Sequence, residues 1–241
     1  MERRIWVGCC GFARKLEEYA RHLPVVEVQQ TFYRLPQVKT AQGWRRRVPE
    51  GFVFTLKAWQ LITHPPTSPT YRRLGRPVPA SRADRYGFFA PTEEVREAWA
   101  QTLEVARALR ASVVVFQCPA SFTPTSVHVA NLERFFRTAP RDGLQFAWEP
   151  RGDWPEELVR RLCQELDLVH CTDPFVARSV FGHFRYYRLH GRGGYRYRYT
   201  EADLRELRGW CQEPAYVLFN NVSMWEDALR FQELLDSDGR P

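Results

Sequence analysis

Lysine is nearly missing from this sequence. Lys15, Lys39 and Lys57 are the only three among 35 basic residues, so a formal charge of +7 rests on arginine. No run of eighteen apolar residues occurs, which excludes a hydrophobic helix long enough to span a bilayer. The start, "MERRIWVGCCGF", has no long apolar stretch of the secretory type, so the expected compartment is the cytoplasm and no membrane partner is expected. None of the six cysteines, at 9, 10, 118, 163, 171 and 211, stands in a C-x-x-C pair, and reduced thiols are the expectation. Adjacent Cys9 and Cys10 would point to opposite faces of a strand, which makes them a poor zinc pair. There is no internal repeat. No G-x-G-x-x-G follows the first apolar run, which argues against a dinucleotide-binding doubly wound sheet.

Apolar residues make up 44% of the chain, with 8 Trp and 16 Phe, enough for a large core. Apolar, β-rich runs at 4–10, 25–30, 51–59, 112–118, 144–150, 168–173, 183–191 and 215–221 predict eight strands. Helical patterns at 13–23, 37–48, 92–110, 126–139, 154–166, 200–211 and 224–236 follow every strand except the sixth. Thr92 and Thr200 are placed as N-caps, as is Asp153 with Pro155 just after it. Residues 60–91 are rich in proline and arginine and read as one long loop, a candidate lid. Near-continuous apolar strands alternating with helices indicate parallel pairing. The expectation is an α/β protein: a single (β/α)8 TIM-type barrel over 1–241, by default a monomer.

In such a barrel the chemistry belongs at the C-terminal ends of the strands. Read in order, those ends carry Glu27, Lys57, Gln117, Glu149 with Arg151, Asp173, His190 with Arg192, and Asn220 with Asn221. Tyr33 follows the second strand, and His64 stands in the loop after the third. Glu149 and Asp173 are a candidate acid–base pair, with His190 beside them. Lys57 could clamp an anion, serve as an amine of depressed pKa, or pair with Glu27. Ligands for a divalent metal can come from separate strands, and His64, Glu149, Asp173 and His190 have the right chemistry. No H-E-x-x-H or H-x-x-E-H spacing marks them as a metal motif, and no motif specifies another cofactor. In "YYRLHGRGGYRYRYT" (186–200), Tyr195, Tyr197 and Tyr199 alternate with Arg196 and Arg198, a pattern suited to stacking on bases or sugars.

The ordered set "VGCCGF", "VEVQQTFYRLP", "FVFTLKAWQLITH", "VFQCPASF", "AWEPRGDW", "TDP", "YYRLHGR" with "YRYT", and "YVLFNN" resembles the domain-of-unknown-function 72 family along almost the full chain. The resemblance implies a TIM-type barrel with no established activity, akin to barrels of metal-dependent endonucleases and sugar isomerases. Glu27, Tyr33, Lys57, His64, Gln117, Glu149, Arg151, Asp173, His190, Arg192, Asn220 and Asn221 stand where the family motifs place those residue types. Three departures stand out. Cys9 and Cys10 replace small hydroxyl residues, Gly152 stands where a His often follows the Arg, and "VSMWEDALRF" after Asn221 lacks the usual Gly and Asn.

Two readings of function compete. One is an enzyme, hydrolase- or isomerase-like, acting on a phosphate-bearing substrate that is either a nucleotide or nucleic acid. In it Arg151, Arg192 and Lys57 bind the anion, Glu149 or Asp173 is the base with His190 as acid or as a ligand, and Gln117, Asn220 and Asn221 orient the substrate. The other is a non-catalytic nucleic-acid binder using the Arg/Tyr loop and the basic loop at 65–80, or a barrel that binds a small metabolite.

Overall fold

In the computed structural model, which describes residues 5–75 and 77–238, each apolar run folds as one strand of a closed, all-parallel eight-stranded barrel. The strands are β1 (Ile5–Cys10), β2 (Val25–Val28), β3 (Val53–Lys57), β4 (Val113–Gln117), β5 (Gln145–Glu149), β6 (Val169–Thr172), β7 (Arg185–Leu189) and β8 (Ala215–Phe219). The helices are α1 (Leu16–His22), α2 (Gln30–Tyr33), α3 (Val38–Arg46), α4 (Gln60–Thr63), α5 (Glu93–Leu109), α6 (Ser126–Thr138), α7 (Glu156–Glu165), α8 (Glu201–Trp210) and α9 (Met224–Asp238). The first strand begins at Ile5, and residue 4 of the expected run lies outside the described residues, as do the ends of the 1–241 domain.

Side chains alternate across each strand, and the two faces have different partners. Outward residues pack against the helical layer: Trp99, Phe135 and Phe136 meet Phe116 and Phe146 edge to face, and Trp154 meets Trp148 in the same way. Inward residues make a separate core inside the barrel. Trp6 stacks on Tyr216 at its N-terminal end, with ring centroids 4.8 Å apart, and Val113, Val115, Val169 and Cys171 fill its middle. Cys9 faces the helices and Cys10 the barrel interior, as the strand period requires, and all six cysteines are free and buried.

Helix starts follow their caps. The hydroxyl of Thr92 accepts from Val95 N, and that of Thr200 accepts from Asp203 N in a reciprocal capping box. At α7 the expected cap shifts: Pro155 is the N-cap residue, and Asp153 lies outside the helix. The second strand ends at Val28, so Gln29 and Gln30 leave it and Gln30 opens α2. The long loop expected over 60–91 contains more structure than its prolines suggested. It holds buried α4 and two 3-10 turns, Pro69–Arg73 and Ala80–Arg85. It is tied back by Gly87 N to Leu61 O, Phe89 N to Ile62 O, and the Tyr71 hydroxyl to His64 O. Residue 76, within the expected basic rim at 65–80, lies outside the described residues. Among the described residues no helix is long and apolar enough to cross a membrane.

Between β1 and β2 the backbones approach so closely that a Cβ on Gly8 would lie 2.0 Å from Val25 O. Gly8→Ala is therefore expected to destabilise the barrel by about 3 kcal/mol or more, through overpacking that backbone must absorb. Chemical denaturation of the variant checks this, and a loss below about 1 kcal/mol would contradict the close approach.

Candidate active site

Period-two alternation carries a polar layer to the C-terminal end of the barrel interior. Arg188 on β7 is its centre and is completely buried. Its Nε donates to Glu27 Oε2 at 3.1 Å, and its Nη2 lies 3.0 Å from Glu27 Oε1. Its Nη1 donates to Glu149 Oε2 at 2.5 Å and to Gln117 Oε1 at 2.9 Å. One guanidinium thereby links β2, β4, β5 and β7 across the barrel. Glu27 also accepts from the Tyr186 hydroxyl at 2.9 Å and from the Gln29 amide. Two carboxylates around one arginine offset the large cost of burying these charges.

Glu149 is held from both sides, since Arg151 Nη2 lies 2.5 Å from its Oε1. Burial alone would push its carboxyl up, but the charges of Arg188 and Arg151 outweigh that and hold it at about 2. At neutral pH it is a fixed carboxylate and a poor proton acceptor. Arg151 Nη2 also lies 2.7 Å from His190 Nε2, which accepts because a guanidinium has no lone pair. Asp173 accepts from the backbone N–H groups of His190 and Phe175 at 2.8 and 3.1 Å, and its Oδ2 lies 3.6 Å from His190 Nδ1. The expected acid–base pair is thus drawn into two ion-pair networks bridged by His190 and Arg151.

Lys57 differs from these groups. Its amine lies 3.6 Å from the centre of the Phe32 ring, and not in an ion pair with Glu27, whose oxygens Arg188, Tyr186 and Gln29 occupy. Burial, reinforced by the charge of Arg188, pulls its pKa down to about 7. Lys57 opens onto a cleft of about 520 Å³ that Gln29, Tyr33, Gln117, Arg151, His190 and Asn220 also line. Because Gln117 spends its carbonyl oxygen on Arg188, its amide N–H groups remain as donors.

Four expected site residues lie elsewhere. Arg192 turns from the cleft to pair with Asp203 at 2.7 Å, in the acidic first turn of α8, and with Glu206 at 3.1 Å further along that helix. Tyr197 donates to Asp203 at 2.7 Å. Asn221 is buried, donating to Tyr197 O and Asp227. His64 is buried behind Phe32, and burial, with Lys57 nearby, lowers its pKa to about 3. The alternating tyrosines give no continuous stacking face: Tyr195 is exposed, Tyr197 is bonded to α8, and Tyr199 is buried. Among the described residues no three His, Cys, Asp or Glu side chains converge in a way that would hold a metal ion, so the four candidate ligands do not form a set. Arg188, the residue that organises the site, was missed by reading strand ends. It is two residues before His190 on the same face, so the alternation Tyr186, Arg188, His190 signals it.

The family model described as "Protein of unknown function DUF72" matches residues 6–241. The UPF0759 protein YunF of Bacillus subtilis (strain 168) is 25% identical over 261 residues, covering 92% of this chain and 86% of that protein. A crystal structure of a DUF72 family protein from Enterococcus faecalis V583 superposes with a TM-score of 0.74 at 22% identity, over 98% of both chains. A crystal structure of D-psicose 3-epimerase shares the barrel fold, with a TM-score of 0.56 at 11% identity over 93% of this chain and 92% of that one.

Removing the guanidinium should strand two buried carboxylates. Arg188→Met is expected to cost about 3–5 kcal/mol at neutral pH. The wild type has the opposite exposure to acid. The Glu149 pKa is lowered from 4.5 to about 2, so its stabilisation is complete above 4.5 and is lost as pH falls toward 2. The gap between the two proteins should therefore be widest near neutrality and narrow below pH 4.5, as read by urea denaturation across pH. A gap independent of pH would show that the loss is packing rather than charge.

Proposed function

The chain belongs to the DUF72 family, and from that premise we propose that its barrel mouth is the active site of an enzyme acting on a small phosphate-bearing substrate. The observation that carries this reading is that a desolvated lysine amine and a half-exposed guanidinium open onto one cleft at the catalytic end of the barrel. Arg151 uses Nη2 on Glu149 and His190, which fixes its plane. Its Nη1 and Nε have no partner among the described residues, and Nη1 can donate a charge-assisted hydrogen bond to a phosphate oxygen. Lys57, Arg151 and Arg188 stand against three carboxylates, Glu27, Glu149 and Asp173, so with Lys57 protonated the charges of the mouth balance.

Proton transfer falls to Lys57. With a pKa of about 7 it is present in both forms at physiological pH, able to take a proton as the amine and return it as the ammonium. Glu149 stays ionised and orients Arg151 rather than acting as the base. The Gln117 amide and Asn220 line the same cleft and would fix the substrate's hydroxyl or carbonyl groups.

The test screens phosphate monoesters for turnover and titrates inorganic phosphate by calorimetry. Arg151→Ala is expected to weaken phosphate binding by about tenfold or more, as loss of a charge-assisted pair would. Lys57→Met should lower kcat by about 100-fold or more. In the wild type a base step should rise with pH through about 7, the value for Lys57, and this inflection should vanish in Lys57→Met. Full turnover by Lys57→Met would sink its catalytic role. Phosphate binding through Arg151 without any turnover would assign the barrel to metabolite binding instead.

A further inference from the structure

The sixth strand is the one that no helix follows. Between β6 and β7 the chain passes through residues 173–184 without a helix. In the other units the outward face of the strand is covered by helix and is apolar. On β6 the outward residues are His170 and Thr172, while Val169 and Cys171 point inward. The uncovered face borders a cavity of about 420 Å³, floored by His170 and Thr172 and walled by Trp154, Val159, Ala177 and Val180. This volume lies within the range of about 300–1,000 Å³ typical of small-molecule sites.

His170 is 7% exposed and its hydrogen bonding is one-sided. Its Nδ1 accepts from the backbone N–H of Val180 at 3.2 Å. The acceptor must carry a lone pair, so the ring proton resides on Nε2. Burial keeps the ring neutral, with its pKa lowered to about 4. Nε2–H has no partner among the described residues, in a side chain that lines the cavity. The cavity is therefore a slot of mixed lining, in which the Trp154 ring and the aliphatic side chains stand beside the carboxylates of Glu149, Glu156 and Asp173, and His170 presents a fixed, unspent donor. Arg151 and His190 line both this cavity and the barrel mouth, so the two spaces meet at the guanidinium assigned above to phosphate.

From this juxtaposition we infer that the cavity is a nucleobase pocket, and that the substrate is a nucleoside phosphate whose base accepts a hydrogen bond from His170 while its phosphate sits on Arg151. The inference rests on the anion reading of the barrel mouth. A base is flat, has ring nitrogens or carbonyl oxygens as acceptors, and gains from leaving water beside Trp154 and Val180. A bare sugar phosphate would leave the His170 donor and the apolar walls unused.

The experiment compares, by calorimetry, inorganic phosphate, ribose 5-phosphate and the four common ribonucleoside monophosphates. At least one monophosphate should bind about tenfold tighter than ribose 5-phosphate, the worth of one hydrogen bond with burial of a ring. Val176 lines the cavity at its rim and is 83% exposed, so Val176→Trp can obstruct the pocket without touching the core. That variant should bind the nucleoside monophosphate no better than ribose 5-phosphate, with ribose 5-phosphate itself unchanged. His170→Phe should do the same, and His170→Gln, which keeps a donor, should recover part of the gain. If ribose 5-phosphate binds through Arg151 and no base adds affinity, or if Val176→Trp leaves the gain intact, the nucleobase pocket is refuted while the anion site stands. If no phosphate binds, both readings fall.

Discussion

The barrel mouth is organised around a single buried guanidinium. Arg188 enters the barrel interior because it occupies an inward position on β7, and an isolated cation there would be prohibitively costly. It is tolerable only with counter-charges in contact, and Glu27 and Glu149 arrive from β2 and β5 to supply them. The rest of the site follows from that requirement. Glu149 is anchored as a carboxylate and in turn fixes Arg151. Gln117 is turned so that its carbonyl oxygen meets Arg188 and its amide faces the cleft. The positive charge of Arg188 adds to burial in lowering the Lys57 amine toward neutrality. An ion pair that contributes little net stability thus keeps Glu149 ionised and adds to the burial that lowers Lys57.

Much of this architecture was legible in the residues. The eight apolar runs are the eight strands, because an all-parallel barrel buries both faces of each and leaves an uninterrupted hydrophobic signal. The caps at Thr92 and Thr200 were readable because a hydroxyl and an acidic first turn act locally. The cap at α7 was displaced, since Pro155 with its fixed φ takes the position that Asp153 would have had. The 60–91 segment was misjudged for a similar reason. Proline removes the helical period that sequence reading depends on, yet it is compatible with the 3-10 turns found there.

The site was less legible, and the division has a physical basis. Within a strand, alternation dictates direction, so Glu27, Lys57, Gln117 and Glu149 could be placed on the inner face from spacing alone. Beyond the last strand residue the chain turns freely, and direction depends on partners far along the sequence. Arg192 looked like a phosphate ligand until Asp203 and Glu206 came round on α8 to claim it. Tyr197 and Asn221 were drawn into the same neighbourhood through Asp203 and Asp227. Arg188 was overlooked for the complementary reason: it sits inside a run of aromatic and apolar residues, where a charge reads as an interruption rather than as the centre of a site.

The gap after β6 shows how an omission in a repeating fold can create chemistry. A helix over β6 would need apolar outward residues beneath it, and His170 and Thr172 would then be buried without partners. With the helix replaced by a crossing segment, Val180 satisfies one nitrogen of His170 and the other is left facing a cavity. The same segment brings Asp173 against the backbone of His190, which steadies the Arg151–His190 contact between that cavity and the mouth. Gly152 belongs to this arrangement as well. A Cβ there would lie 2.8 Å from Ala120 O and 2.9 Å from Phe122 O, so a larger residue would push the 120–122 loop away from Arg151. Glycine at this position lets the loop after β4 close directly on the backbone beside Arg151. The two cavities then meet at a guanidinium held by charge on one side and by backbone packing on the other.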